Sequence, residues 1–303
     1  MTIAYEITDL IGNTPIIRIN KLTDPGAARV LAKLEGNNIG GSVKDRMAKS
    51  IIEYAEAAGT LDRNKTILEA TSGNTGIALS MIAAARGYKI TLTMPESVSI
   101  ERRKLIKAYG GELILTSKTK GTAGAIEHKQ NMLKENPTKY IDLNQFKDPA
   151  NILAHSQNTG REIISQTNGE VDAVVVGIGT AGTGAGISLR LKQFNPEIQI
   201  VGVIPQIGKP IQGLRNPGET FPTELYRREH YDEIIEVSGD EKQNYYEIGR
   251  RAAREEGLLL GISSSAILYV ALRKARELGV GKTVVAILPD SGMKYLSTDL
   301  FED

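Results

Sequence analysis

The sequence predicts an α/β protein made of two doubly wound domains with parallel sheets, and three observations carry that expectation. Short apolar runs (Thr66 to Glu69, Lys89 to Thr93, Glu112 to Thr116, Val171 to Val176, Ile198 to Ile204, Thr283 to Leu288) alternate with stretches of helical periodicity such as Gly76 to Ala85, Ile100 to Tyr109 and Glu241 to Glu256. That alternation is the pattern of strand–helix–strand units, which bury a parallel sheet under helices on both faces. Glycine-rich loops stand repeatedly between a strand and the helix after it. The length, 303 residues, matches about two domains at ~150 residues each.

Composition narrows the function classes. The 37 basic and 36 acidic residues leave a net charge of +1, so neither nucleic acid nor an anionic membrane is expected as a partner. No apolar run is long enough to span a bilayer. The opening Met1-Thr2-Ile3-Ala4-Tyr5-Glu6 lacks signal-peptide architecture, and the expected location is cytoplasmic. Cysteine is absent, which removes disulfides, thiolate nucleophiles and cysteine-bound zinc. The three histidines, His128, His155 and His230, have no metal-ligand spacing, so no metal is expected. Lysine chemistry or a borrowed cofactor remains.

Taken in order, Gly12-Asn13-Thr14-Pro15 is a turn leading to a strand through Ile16-Ile17-Arg18-Ile19, and Val30 to Leu34 reads as the next strand. Gly40-Gly41-Ser42-Val43-Lys44-Asp45-Arg46 then forms a loop feeding a helix. Ser42 suits the N-cap and Asp45 the reciprocal position of a capping box. Val43, Met47, Ile51 and Ile52 mark the buried stripe. Lys44 falls in the first helical turn, where the helix dipole disfavours a cation by roughly 0.3–1 kcal/mol. That position pushes the amine toward its neutral, nucleophilic form.

Three further loops of small and polar residues stand between a strand and a helix. Thr71-Ser72-Gly73-Asn74-Thr75-Gly76 opens a helix with several backbone and side-chain donors and no cation, which suits a carboxylate. Gly177-Ile178-Gly179-Thr180-Ala181-Gly182-Thr183-Gly184 follows the apolar strand Ala173 to Val176 and precedes a helix through Leu189-Arg190-Leu191. It matches a dinucleotide fingerprint, but the next strand runs into Pro205-Gln206 with no acid for a ribose, so a single phosphate on backbone amides fits better than NAD. Gly261-Ile262-Ser263-Ser264-Ser265-Ala266, after an apolar strand at Leu258 to Leu260, offers hydroxyls that could meet a ring nitrogen or cap a helix, and taken alone the loop reads as a cap.

In their order along the chain, S-V-K-D-R, T-S-G-N-T-G, G-T-A-G-T and G-I-S-S-S resemble the β-family (fold type II) of pyridoxal-phosphate enzymes, and within it the cysteine synthases of the B type. The resemblance runs from the turn at Gly12 to Asp290-Ser291-Gly292 and Lys294 to Thr298. It implies a tryptophan synthase β-like fold with pyridoxal 5'-phosphate in the cleft between the domains. The smaller, mobile domain would comprise 1–12 and 35–146, and the larger one, with the phosphate loop, 13–34 and 147–303. By the same resemblance Lys44 would hold the cofactor covalently and serve as base and acid, and Asn74 would bond its phenolic oxygen. Gly179, Thr180, Ala181, Gly182 and Thr183 would cradle its phosphate, and Ser263 would meet its ring nitrogen. Thr71, Ser72, Thr75 and Gln145 would bind the substrate carboxylate.

The implied reaction is β-replacement, making L-cysteine from O-acetyl-L-serine and sulfide through an aminoacrylate, in a homodimer. Arg215, in Gln212-Gly213-Leu214-Arg215-Asn216, resembles a subgroup that accepts O-phosphoserine; a guanidinium fork matches phosphate, whereas a pair with Glu219 or Glu224 is the plain alternative. Cystathionine β-synthase or cysteine desulfhydrase activity is the related alternative, although no regulatory domain is expected after Asp303. A non-catalytic amino-acid-binding module is disfavoured by Lys44. The sequence departs from the family pattern at Ile39, Arg161, Ala181, Ser265 and Met293. Alanine at 181 is compatible with the phosphate loop provided its φ is negative.

Overall fold

A computed structural model describes residues 3–71, 73–219 and 223–302. In chain order the strands are β1 Ile16–Ile19, β2 Arg29–Leu34, β3 Thr66–Ala70, β4 Lys89–Pro95, β5 Glu112–Thr116, β6 Tyr140–Asp142, β7 Ala173–Gly177, β8 Gln199–Pro205, β9 Glu233–Val237 and β10 Thr283–Leu288. The helices are α1 Lys44–Ala57, α2 Asn74–Arg86, α3 Ile100–Ala108, α4 Gly121–Glu135, α5 Ala150–Ala154, α6 Gly160–Gln166, α7 Gly182–Phe194, α8 Lys242–Glu256 and α9 Ile262–Leu278. The chain divides into two compact units, Met1–Ile11 with Asn38–Asn151, and Gly12–Asn37 with Ile152–Asp303.

The first unit holds a parallel sheet in the order β5-β4-β3-β6. β3 and β4 are buried along almost their whole length because helices cover both faces of the sheet. Ile67 pairs with Ile90 on one side and Ile141 on the other. Met47, Ile51 and Ile52 of α1 pack with Ile67, Ile77 and Leu92, so the expected stripe is the buried one.

The second unit holds a sheet in the order β1-β2-β10-β7-β8-β9. It is parallel except at β1, which runs antiparallel to β2 from Ile16↔Lys33 to Ile19↔Val30. The short link between β1 and β2 forbids the crossover that a parallel pair needs. Along β7 the side chains alternate between two cores. Ala173 and Val175 join Ala266, Ile267 and Val270 of α9, while Val174 and Val176 join Ile187 and Leu191 of α7.

Each sheet reverses its winding at one strand. In the first unit β3 lies between β4 and β6; in the second, β7 lies between β8 and β10. Open α/β sheets bind ligands beyond the carboxyl end of such a strand. The asparagine loop leaves β3 there, and the phosphate-type loop leaves β7 there.

Several local expectations are corrected. β6 and β9 are additional strands, too short or too charged to stand out as apolar runs. Leu258 to Leu260 is not a strand; Leu260 makes only an isolated bridge to Ser291. α2 begins at Asn74 rather than Gly76, which brings Asn74 and Thr75 into its first turn.

Candidate active site

Lys44 is the first residue of α1 and is half-buried. The capping box expected there does not form. Val43, already helical in conformation, occupies the N-cap, and the Lys44 amide donates to Ser42 Oγ at 3.3 Å. Asp45 reaches back to Gly40 instead, its Oδ2 accepting that amide at 2.7 Å. The carboxylate therefore ties down the glycine turn, and its charge stands one residue from Lys44.

In the asparagine loop, Thr71 is buried and its Oγ1 accepts from the amides of Gly73, at 2.9 Å, and Gly76, at 3.3 Å. Ser72, expected to bind the substrate carboxylate, lies outside the described residues. Gly73 has φ +149°, and a Cβ there would come within 2.5 Å of Arg102 Cδ, so only glycine fits. The loop itself carries no cation, but the buried Arg102 of α3 packs its side chain against Gly73. Arg102 shares a face of α3 with buried Ile106, four residues on; that spacing was the available signal.

Thr75 and Gln145 are both buried and come together, Thr75 Oγ1 donating to Gln145 Oε1 at 2.6 Å. Gln145 Nε2 donates to Ala70 O at 3.1 Å, and its amide donates to Glu69 Oε2 at 3.2 Å. Asn144, the preceding residue, has φ +45°, a conformation asparagine tolerates. Glu69 is fully buried and its Oε1 also accepts from the Ala70 amide at 2.8 Å. Lys129 lies 3.2 Å from Glu69 Oε1 and 2.8 Å from Asp142 Oδ1. Burial pushes the Glu69 carboxyl up, against the opposing pull of Lys129. Burial also disfavours the Lys129 cation, but Glu69 and Asp142 outweigh it and hold the amine charged. A carboxylate closing an apolar strand was the sequence signal for this cluster.

In the second unit, the loop after β7 runs into the N-terminus of α7. The first intrahelical bond reaches Ala185, whose amide donates to Ala181 O at 3.0 Å. The amides of Gly182, Thr183 and Gly184 thus precede the helical ladder, as at any helix start. Thr180 is buried and Thr183 half-buried. Ala181 has φ +70° and ψ −11°, so the negative φ set as the condition for alanine here is not met. A left-handed conformation costs an L-residue roughly 1–2 kcal/mol. Ala181→Gly should stabilise this unit by up to about 1 kcal/mol, after glycine's larger loss of chain freedom is subtracted. Urea denaturation checks this; a destabilised variant would mean that the alanine methyl contributes more packing than strain.

At the start of α9 the three serines separate. Ser264 Oγ donates to Asp290 O at 2.8 Å and Ser265 Oγ to Gly261 O at 3.0 Å. Ser263 is buried and makes no side-chain hydrogen bond among the described residues, which leaves its hydroxyl available to a ligand. Asp290, whose Oδ2 accepts from Tyr295 Oη at 2.7 Å, backs this turn. Arg215 is half-buried on the segment after β8, its amide donating to Ile178 O at 2.7 Å. Burial lowers its pKa, and the charge of Glu219 opposes that shift. Among the described residues no group of acidic or histidine side chains could hold a metal ion, and no helix is long and apolar enough to cross a membrane.

The family described as pyridoxal-phosphate dependent enzyme matches residues 7–290. A cysteine synthase of Staphylococcus aureus (strain N315) is 45% identical over 304 residues, covering 98% of this chain and 96% of that protein. The crystal structure of a cysteine synthase from Entamoeba histolytica superposes with a TM-score of 0.91 at 39% identity, covering 100% of this chain and 92% of that one. O-ureido-L-serine synthase does so with a TM-score of 0.91 at 37% identity, covering 99% and 96%. With both sheets, the lysine at a helix start and the glycine loops in order, the chain belongs to the family of pyridoxal-phosphate-dependent enzymes.

Proposed function

We propose that this enzyme carries out β-replacement on an O-activated L-serine, with sulfide as acceptor and L-cysteine as product. The observation that carries the reading is the division of labour at the start of α9, where two serines are spent on the backbone and Ser263 is left over. A neutral hydroxyl there fits the ring nitrogen of pyridoxal phosphate, and the amides opening α7, with Thr180 and Thr183, fit its phosphate. Asn74 would bond the phenolic oxygen and Lys44 would be the covalent attachment point. Once bound, the cofactor supplies the electron sink for chemistry at the α and β carbons.

The chain's own residues do the rest. Lys44 Nζ takes the Cα proton, helped by a helix-start position that disfavours its charged form. Thr71, Ser72, Thr75 and Gln145 bind the substrate carboxylate. For Thr75 this requires its hydroxyl to turn from Gln145 to the substrate. Gln145 already spends one amide hydrogen on Ala70 O and keeps the other. The same reading carries a cytoplasmic homodimer, whose size light scattering checks.

Arg215 bears on the donor. Its burial is unusual for a mere rim charge, and a desolvated guanidinium favours a phosphate over an acetyl ester. We assign O-acetyl-L-serine as the leading donor and O-phospho-L-serine as the second. The test is cysteine formation from each donor with sulfide, in wild type and Arg215→Ala. Turnover with neither donor would overturn β-replacement to cysteine. A loss in kcat/KM of about 10- to 100-fold confined to O-phospho-L-serine is expected if Arg215 holds the phosphate. Equal small losses on both donors would return it to a pair with Glu219.

A further inference from the structure

Between α5 and α6 the chain forms one π-helical turn, His155–Thr159, in which the Gly160 amide donates to His155 O. Such turns are rare and occur frequently at functional sites. This one aims a fully buried imidazole at two hydroxyls: His155 Nδ1 lies 2.9 Å from Thr159 Oγ1, and Nε2 lies 3.1 Å from Thr183 Oγ1. The approach depends on Gly186 of α7. A Cβ there would stand 2.3 Å from Ile152 O, 2.7 Å from His155 Cβ and 2.9 Å from the Ser156 amide. Glycine inside a helix is less favourable than alanine, so the close seat for the π-turn is maintained at the expense of α7.

We propose that His155 is a positioning residue for the cofactor phosphate, acting through Thr183; this rests on the assignment of the loop from Gly179 to Thr183 to that phosphate. A neutral imidazole has one donor and one acceptor nitrogen, and the partner on one side fixes the other. When Thr183 gives its hydroxyl proton to an anion in the loop, its oxygen accepts from His155 Nε2–H. Nδ1 is then bare and accepts from Thr159, which is fully buried. The three groups form a chain of donors running from Thr159 toward the loop, and Thr183 is held as a donor. A histidine that merely satisfied two threonines would have no preferred direction.

The test is affinity for pyridoxal 5'-phosphate against pyridoxal, which lacks the phosphate, measured by absorbance on the cofactor-stripped chain. His155→Leu should weaken pyridoxal 5'-phosphate by about tenfold, the order of one weakened bond to a charged group, and leave pyridoxal within about twofold. His155→Gln, whose amide nitrogen can replace Nε2–H, should recover most of the loss. Thr183→Ala separates the two readings. If it loses the phosphate preference and His155→Leu does not, the relay is wrong and the phosphate loop stands. If Thr183→Ala keeps the preference, the loop assignment fails and the inference falls with it. Equal losses of both ligands in His155→Leu would mark a purely structural histidine and overturn the proposal. Should His155→Leu not fold, nitrogen-15 NMR of the histidine-labelled wild-type holoenzyme decides. The His155 signals, identified by their absence in His155→Gln, should show protonated Nε2 and bare Nδ1; the opposite tautomer overturns the relay.

Discussion

Lys44→Ala should abolish β-replacement, with turnover falling by at least about 10³-fold, as expected for a side chain that is both attachment point and proton carrier. It should not abolish cofactor binding. The loop ahead of α7 and the Ser263 hydroxyl belong to separate stretches of chain, and neither depends on Lys44. The variant should therefore retain pyridoxal phosphate through noncovalent contacts while losing the adduct that borohydride fixes. In wild type, the reduced cofactor should be found on the peptide containing Lys44. The fold should survive, because Lys44 starts α1 without contributing to the buried stripe of Met47, Ile51 and Ile52. A variant with full turnover would remove Lys44 from the mechanism. A variant that lost all cofactor affinity would mean that the α7 and α9 contacts hold far less of the ligand than their geometry suggests.

Much of this was legible in the sequence because the signals were local. Short β-branched apolar runs such as Ala173 to Val176, bounded by glycine-rich loops, read as buried strands followed by turns into helices. Lys44 was placed correctly at a helix start for the same reason. What the sequence hid was set by the folded backbone or by neighbours far along the chain. Asp45 had the right spacing for a capping box, yet the glycine turn just before it presents the Gly40 amide to its carboxylate instead. Ala181 carries no mark of its positive φ; the turn between β7 and α7 imposes it, and the residue type alone argued the other way. Arg102 is 29 positions beyond Gly73, and only the packing of α3 beside α2 brings them together. His155 looked scattered among three histidines because its partner Thr183 lies on another helix. β1 read as a strand, but its direction depended on the length of the link to β2 rather than on its own residues.

Lys129→Met is expected to be the most damaging substitution outside the lysine site, costing the first unit about 3–5 kcal/mol at neutral pH. Methionine fills a similar volume, so the loss comes from charge. Glu69 is fully buried, and without Lys129 it keeps, among the described residues, the amides of Ala70 and Gln145 as donors. Asp142 is partly exposed and can turn to water, whereas Glu69 cannot. The sign with pH follows. Burial already raises the Glu69 carboxyl, and removing Lys129 deletes the main opposing influence, so its folded pKa rises further above the unfolded value. Between those two values the folded state binds more protons than the unfolded one, so stability grows as pH falls through the window. Denaturation curves at about pH 8 and about pH 5 should show the gap to wild type narrowing at the lower pH. Function should follow the same cluster. Glu69 anchors the Gln145 amide, and Gln145 holds Thr75, so the variant's KM for the amino-acid donor should rise while its affinity for pyridoxal phosphate stays near wild type. A gap that does not change with pH would show that Glu69 is not the group left uncompensated. An unchanged KM would detach Gln145 from the substrate carboxylate.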